Sequence, residues 1–220
     1  CYAASKYPIG KDYEIEELYK EIEKDRVFYS IKGGGVTFSG GEPLTHPEYL
    51  TEIARICHER GIDVAVESCG WGYYDKFQHA LPYINSMFLD IKHIDSDKHK
   101  ELTGSGNELI LDNIKRIAKS GIDITIRTPV IPGCNNSREN IAGIAEFLIT
   151  IPEIKEYELL PYHEFGKNKY YALGREYPLE GVRTPEDEEM RELVKCANDV
   201  FQGYDKTCFY IKDNQRQIVK

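Results

Sequence analysis

Apolar positions along the chain follow two spacings, which predicts alternating helices and strands. Stretches such as 12–25 and 138–149 repeat apolar residues every three to four positions, as amphipathic helices do. Short apolar, β-branched runs such as 63–67 and 87–91 end in charge or glycine, as buried strands do. Strands that alternate with helices favour a parallel sheet with right-handed crossovers. The pattern therefore indicates an α/β fold.

Five strands and six helices follow from this pattern. The strands are predicted at 36–39, 63–67, 87–91, 122–130 and 157–160. The helices are predicted at 12–25, from 45 to about 60, at 74–82, 108–119 and 138–149, and from 184 onward. Residues 163–184 are the longest predicted loop. Because no Gly/Ser-rich or Pro-rich linker interrupts the pattern, we expect one domain.

Composition narrows the classes of protein that fit. The 220 residues include 28 Lys and Arg and 37 Asp and Glu, for a net charge of −9. Such an acidic chain lacks the basic surface that attracts nucleic acid or anionic membranes. Hydrophobic residues make up 41% of the chain, enough to bury a core, and no apolar run approaches the ~18 residues of a membrane span. The sequence predicts neither a nucleic-acid partner nor a membrane partner.

The six cysteines are scattered rather than clustered. They are Cys1, Cys57, Cys69, Cys134, Cys196 and Cys208. No CxxC or CxxxC spacing is present, so local spacing indicates neither a zinc site nor an iron–sulfur cluster. A chain of this length with scattered cysteines does not match a small disulfide-rich secreted domain. We expect reduced thiols and a cytoplasmic location.

Polar residues follow every predicted strand. Ligands of parallel α/β sheets bind at the carboxyl ends of the strands. Those ends carry Ser39-Gly40-Gly41-Glu42-Pro43, Glu67-Ser68-Cys69-Gly70, Asp90-Ile91-Lys92-His93, Arg127-Thr128-Pro129 and Pro161-Tyr162-His163. Each side chain alone fits an ordinary surface role, and Cys69 is interpreted as a small residue at a strand end. Together they combine acidic and basic groups on one edge, which suits a zwitterionic ligand.

The segment Gly40-Gly41-Glu42 has two readings. Its glycines fit an ordinary turn, or they let the backbone approach a ligand that side chains would exclude. In the second reading, backbone polar groups and the Glu42 carboxylate bind an ammonium group. The segment lacks the spacing and the lysine of a P-loop and does not fit GxGxxG. A phosphate-binding loop is therefore not predicted.

Four ordered motifs resemble those of one enzyme family. They are Gly35-Val36-Thr37-Phe38-Ser39-Gly40-Gly41-Glu42-Pro43-Leu44, Leu89-Asp90-Ile91-Lys92, Arg127 followed by Val130-Ile131-Pro132-Gly133, and Leu159-Leu160-Pro161-Tyr162-His163. Together they resemble radical S-adenosylmethionine (SAM) enzymes. The resemblance is greatest to the activating enzymes of glycyl-radical enzymes, which include pyruvate formate-lyase activating enzyme. It extends from about residue 12 to about residue 202.

The resemblance implies a role for each motif residue. Gly40, Gly41 and Glu42 would hold the methionine amino group of SAM. Lys92, Arg127 and His163 would surround its carboxylate and the atoms nearby. Glu67 and Asp90 would hold a monovalent cation beside that carboxylate, together with the Ser68 and Phe88 carbonyls. Relatives with Asp in place of Glu67 have a side chain one methylene shorter, which bears on ion preference.

One defining motif of the family is absent from the 220 residues. Such enzymes hold a [4Fe–4S] cluster on CxxxCxxC, and the cluster delivers an electron to SAM to release the 5′-deoxyadenosyl radical. We therefore expect a C-terminal portion of an activating enzyme. Residues 1–11 would be the remnant of a ferredoxin-like insert, with Cys1 as its last cluster ligand. Residues 12–220 would be a truncated barrel, with five parallel strands of a (β/α)6 radical SAM barrel.

The implied parent function is the installation of a glycyl radical on a partner enzyme by hydrogen-atom abstraction. The partners would be a glycyl-radical enzyme and an electron donor such as flavodoxin or ferredoxin. The chain alone is expected to be inactive, with no catalytic residue of its own. Two alternatives stay open: a non-catalytic domain that docks a glycyl-radical enzyme, and an unrelated barrel lyase that uses Lys92 as a Schiff-base amine.

Overall fold

The computed structural model describes residues 10–219 as a parallel sheet covered by helices. The strands are β1 (Gly35–Phe38), β2 (Asp63–Ser68), β3 (Ser86–Asp90), β4 (Asp123–Val130), β5 (Glu156–Pro161), β6 (Thr207–Lys212) and β7 (Gln215–Gln217). The helices are α1 (Ile15–Glu23), α2 (Arg26–Lys32), α3 (Pro47–Glu59), α4 (Tyr74–Phe77), α5 (Ser96–Thr103), α6 (Glu108–Ala118), α7 (Arg138–Ile149), α8 (Lys167–Ala172) and α9 (Asp187–Val200). The proposed cluster ligand Cys1 lies outside the described residues.

The strands form one sheet in sequence order, and the sheet is not closed. Strands β1 to β6 are parallel neighbours, and β7 pairs antiparallel with β6. Within the described residues, β1 pairs with β2 alone and forms a free edge. This arrangement confirms the predicted partial (β/α) barrel.

The prediction of five strands was too low. Strands β6 and β7 form a hairpin whose turn residues, Asp213 and Asn214, have φ of 50° and 58°. Asp and Asn tolerate this left-handed conformation better than other side chains, and hairpins favour it. The polar residues at 213–217 hid β7, whereas the apolar run at 208–211 does indicate β6, and sequence reasoning missed it.

The predicted helix over 12–25 corresponds to α1 alone, and α2 lies beyond the predicted range and was missed. Helix α1 ends at Glu23, and α2 starts three residues later at Arg26, after the N-cap residue Asp25. Tyr19 and Ile22 are the buried side chains of α1, which packs against α3. Helices α5 and α8 were also missed, and α8 lies inside the predicted 163–184 loop.

The two faces of the sheet differ in character. On β2 to β4, alternate residues such as Val66, Leu89 and Ile126 are fully buried beneath the helices. The residues between them are only half-buried and include Glu67, Asp90 and Arg127. Because side chains alternate between faces along a strand, these polar residues share one face. This face carries the candidate site near the carboxyl ends of the strands.

No helix of the described residues is long and apolar enough to cross a bilayer.

Candidate functional site

A cavity of about 300 Å³ lies at the carboxyl ends of β1 to β5. Seven residues singled out from the sequence line it: Gly40, Gly41, Glu42, Glu67, Asp90, Lys92 and Arg127. Ser39, Ser68, Cys69, Phe88 and Leu160 complete the wall. The parallel register produces this convergence, since Asp90 lies opposite Arg127 in the sheet.

The Glu42 carboxylate joins the Gly40-Gly41 loop to the end of β2. One oxygen accepts hydrogen bonds from the Leu44 N–H (3.0 Å) and the Ser68 hydroxyl (2.7 Å). The other accepts from the Cys69 N–H (2.8 Å) and the Cys69 thiol (2.9 Å). Four donors therefore fix this carboxylate. Its contribution at the site is to set the position of the loop as well as to supply negative charge.

The two glycines leave the cavity accessible to a ligand. Gly40 has φ of +123°, a conformation that side chains rarely adopt. A Cβ at Gly41 would meet no atom within 4 Å, so a larger side chain there would enter open space. The backbone of this loop is thus exposed on the cavity side, as the ammonium-binding reading of the sequence requires.

Arg127 is held by two carboxylates and an aromatic ring. Its Nε donates to Glu158 Oε2 (2.7 Å) and its Nη1 donates to Glu67 Oε1 (2.8 Å). Its Cζ lies 3.7 Å from the centre of the Phe88 ring. Glu67 also accepts a hydrogen bond from the Ser39 hydroxyl (3.0 Å). These contacts link β1, β2, β3, β4 and β5 across the cavity.

Sequence reasoning missed Glu158. It sits in the middle of β5 between Tyr157 and Leu159, both fully buried, and its own side chain is 8% exposed. A carboxylate between apolar neighbours in a buried strand is a usable signal, because burial of a charge requires a partner. That signal identifies a paired glutamate but does not name Arg127 as the partner.

Asp90 and Lys92 form a looser pair in the cavity. Lys92 Nζ lies 3.7 Å from Asp90 Oδ2, and each side chain is about one third exposed. Burial raises the pKa of the Asp90 carboxyl, and the nearby Glu67 raises it further, while Lys92 and Arg127 oppose the shift. The Asp90 proton is therefore held more tightly than that of a free aspartate.

Cys69 is in contact with the site rather than being only a small residue at a strand end. Burial, with the hydrogen bond to Glu42, raises the pKa of its thiol to about 11. The thiol is therefore neutral near pH 7 and acts as a hydrogen-bond donor.

Of the described residues proposed to hold SAM, His163 alone does not line the cavity. It lies two residues after the end of β5. Its Nδ1 accepts a hydrogen bond from the Phe165 N–H (3.3 Å), and its ring packs against the Phe165 ring with 3.9 Å between the centroids.

The residues of the expected cation site are engaged with other groups. Both oxygens of Glu67 accept hydrogen bonds, from Arg127 and Ser39, and Asp90 faces Lys92. In the described part of the chain, no three His, Cys, Asp or Glu side chains form a group that could hold a metal ion. The cation site at Glu67 and Asp90 stays a prediction of the resemblance.

Two further cavities adjoin the site. One of about 360 Å³ shares Glu42, Cys69 and Lys92 with it and extends to Trp71 and His99. Another, of about 470 Å³, shares Ser39 and lies between residues 11–13, the end of β1 and α3. The second cavity is mainly apolar, whereas acidic and basic groups converge in the 300 Å³ cavity.

Comparison with known proteins defines the class first. The sequence profile of the Radical SAM superfamily matches residues 1–148, about two thirds of the chain. The choline trimethylamine-lyase activating enzyme of Oleidesulfovibrio alaskensis is 39% identical over 191 residues, which are 86% of this chain and 62% of that enzyme. The pyruvate formate-lyase-activating enzyme of Clostridium pasteurianum is 36% identical over 88% of this chain and 81% of that enzyme. The chain belongs to the radical SAM superfamily, and its relatives there are activating enzymes of glycyl-radical enzymes.

Solved structures agree with this assignment. A domain of the pyruvate-formate lyase-activating enzyme from Bacteroides vulgatus superposes with a TM-score of 0.67 at 32% identity, covering 82% of this chain and all of that domain. Streptococcus suis SuiB bound to S-adenosylmethionine superposes at 0.69 with 14% identity over 93% of this chain and 45% of SuiB, and shows the shared fold alone. The chain spans 60% to 64% of the length of several curated relatives. Members of this superfamily use SAM and a [4Fe–4S] cluster.

Proposed function

We propose that this chain supplies the SAM-binding part of an enzyme that installs a glycyl radical on a partner enzyme. The observation that carries the proposal is the 300 Å³ cavity, where the Gly40-Gly41-Glu42 segment meets Asp90, Lys92 and Arg127. The names of the relatives support a glycyl-radical enzyme as the partner. A flavodoxin or ferredoxin would supply the electron.

The charge of the cavity suits the ligand. Three carboxylates, those of Glu42, Glu67 and Asp90, face two cations, Lys92 and Arg127. SAM carries a sulfonium, an ammonium and a carboxylate, so it has one net positive charge. An acidic cavity that holds two cations can attract the whole ligand and still bind its carboxylate. The open backbone at Gly40 and Gly41 lies where the ammonium group would be held.

Each side of the cavity would hold a different part of the ligand. The loop at Gly40 and Gly41 orients the amino group, because its position is fixed through Glu42. Lys92 and Arg127 bind the carboxylate, and His163 would contact atoms farther along the ligand. When bound, SAM and the cluster together supply the radical chemistry. The protein's part is to place the ligand relative to the cluster and the partner.

The Schiff-base alternative has less support. A nucleophilic lysine needs apolar or cationic surroundings that favour the neutral amine. The carboxylate of Asp90 lies 3.7 Å from Lys92 Nζ instead.

Ligand binding by the 220-residue chain tests the site. We expect weak binding of SAM in calorimetry, because the 220 residues lack the CxxxCxxC motif that would hold the family's cluster. Gly41→Val should abolish the binding, because Gly41 lines the cavity and the added side chain would occupy it. The variant can fold, because a Cβ at Gly41 meets no atom within 4 Å. Gly166→Val is the matched control, because a Cβ there also meets no atom within 4 Å and Gly166 does not line the cavity. Equal binding by both variants would place the SAM site elsewhere.

The activity is tested with the protein encoded by the whole gene. Anaerobic incubation with SAM, a reductant and the partner should give 5′-deoxyadenosine and a glycyl-radical signal in electron paramagnetic resonance. Binding of SAM without either product would contradict the proposed reaction and leave the ligand site intact.

A further inference from the structure

The guanidinium of Arg127 is held more firmly than ligand binding alone requires. Phe88 covers one face of it, Glu158 binds its Nε, and Glu67 binds its Nη1. Its side chain is only 20% exposed. A planar guanidinium with two carboxylate partners at different nitrogens is fixed in both position and orientation.

Glu158 is the partner that fixes the guanidinium from within the sheet. Arg127 and Glu158 are register partners on β4 and β5, so the backbone sets their separation. The Glu158 side chain is only 8% exposed, so water cannot readily replace Arg127 as its partner. Breaking this ion pair would therefore cost much free energy. Glu67 is 41% exposed and can exchange its partners more easily. Removal of Glu158 should therefore free the guanidinium, whereas removal of Glu67 should not.

The position of Arg127 also determines what Glu67 can bind. Oxygen Oε1 of Glu67 accepts from Arg127 at 2.8 Å, and Oε2 accepts from Ser39 at 3.0 Å. Both oxygens thus have donors before any ion binds. Each oxygen keeps a lone pair, but a metal ion bound there would lie beside the positive charge of a guanidinium that Glu158 prevents from moving away.

We propose that Glu158 is a positioning residue that holds Arg127 against Glu67, so that this fixed guanidinium supplies the positive charge where the family resemblance implies a monovalent cation. Two of the five N–H groups of Arg127 donate to these carboxylates in the described structure. Because the guanidinium is planar, fixing these two groups also fixes the directions of the other three. The inference rests on the proposed SAM site for its functional meaning. The positioning of Arg127 by Glu158 does not depend on that site.

Nuclear magnetic resonance of the arginine side chains in the 220-residue chain tests the positioning role without SAM. The Arg127 Nε–Hε group, which donates to Glu158, should exchange slowly with water. Glu158→Gln, which keeps an acceptor but removes the charge, should speed exchange at least about tenfold, since a charged partner adds on the order of 1.5 kcal/mol or more. Glu158→Leu removes the acceptor as well as the charge and should speed the exchange further, while Glu67 remains a charged partner of the guanidinium.

Two variants serve as controls. Glu156 is two residues away on β5 and binds another arginine, Arg216. Glu156→Gln should leave Arg127 exchange unchanged. Glu67→Gln should also preserve slow Nε exchange, because Glu158 still holds that nitrogen. Equal acceleration by the Glu156 and Glu158 variants would show a general loosening of β5 and overturn the positioning role.

Titration with cations tests the second part of the proposal. NaCl and KCl should shift the Arg127 signals no more than tetramethylammonium chloride does at the same ionic strength. A saturable shift with Na⁺ or K⁺ alone would show that a metal ion binds beside Glu67. It would contradict the proposal that the Arg127 guanidinium takes the place of that cation. Loss of SAM binding without such a shift would count against the proposed function and leave this inference standing.

Discussion

At the scale of single residues, the thiol of Cys69 differs in its chemistry from that of a free cysteine. Burial and the Glu42 carboxylate raise the pKa of its thiol to about 11, whereas free cysteine has a pKa of ~8.5. Only the thiolate reacts with iodoacetamide. At pH 8 we expect Cys69 to be alkylated roughly two orders of magnitude more slowly than N-acetylcysteine, as followed by peptide mass spectrometry.

The dependence on Glu42 provides the control. Glu42→Gln removes the negative charge 2.9 Å from the sulfur and keeps an amide of the same size. Alkylation of Cys69 should then be faster than in the wild type at pH 8. The pH at which the rate begins to increase should also be lower, because the thiol would have a lower pKa. A wild-type chain that is folded by circular dichroism and reacts at the rate of the free thiol would refute the predicted thiol pKa.

The sequence predicted which residues meet at the site better than it predicted how they pair. Seven proposed ligand or cation residues line one cavity, because strand ends and parallel register follow from chain pattern and from the resemblance. The pairing of Arg127 with Glu158 depends on a register between strands far apart in sequence. Single-chain patterns carry no such information. The displacement of His163 from the cavity wall reflects the same limit, since residue order does not fix a side-chain direction after a strand ends.

At the scale of elements, the start of β1 depends on the absence of a side chain. A Cβ on Gly35 would lie 1.9 Å from the carbonyl oxygen of Asp63, its register partner on β2. Gly35→Ala therefore forces the two strands apart at the edge of the sheet. We expect a loss of about 1–3 kcal/mol in the free energy of unfolding, measured by urea denaturation, from lost ladder hydrogen bonds and overpacking.

Gly166→Ala is the matched control for this prediction. A Cβ at Gly166 meets no atom within 4 Å, and its φ is −73°. Its free energy of unfolding should change by no more than about 0.5 kcal/mol. Equal stability of the two alanine variants would show that β1 does not pair closely with β2 at this point.

Elements with a strong apolar period were predicted well, and those defined by polar turns were not. Strands β2 to β5 and helices α6 and α7 were located within a few residues. Helix α2 was missed; Tyr29 packs on the core, but Val27, Phe28 and Ile31 are exposed, so its apolar positions do not mark one buried face. Helix α5 has an Asp95 N-cap that accepts from the Lys98 N–H, but little of its surface is apolar, with His99 its one buried residue.

At the scale of the whole molecule, the cysteines bear on whether this chain can hold the family's cluster by itself. The sequence has no CxxxCxxC, and the two closest pairs, Cys57 with Cys69 and Cys196 with Cys208, are each twelve residues apart. Burial raises the pKa of the Cys57 thiol to about 11 and raises that of Cys196 and Cys208 as well. Iron binds thiolates, so these buried thiols are poor ligands.

We therefore expect the 220-residue chain to form no functional cluster. Anaerobic reconstitution with iron and sulfide should give no [4Fe–4S]⁺ signal that changes when SAM is added, measured by electron paramagnetic resonance. Dithionite and SAM should yield no 5′-deoxyadenosine above a no-protein control. Because the cavity proposed to bind the methionine end is formed by β1 to β5, we expect the chain to bind SAM weakly without cleaving it. Cleavage above the control would mean that its scattered cysteines assemble a cluster site that neither their spacing nor their burial predicts.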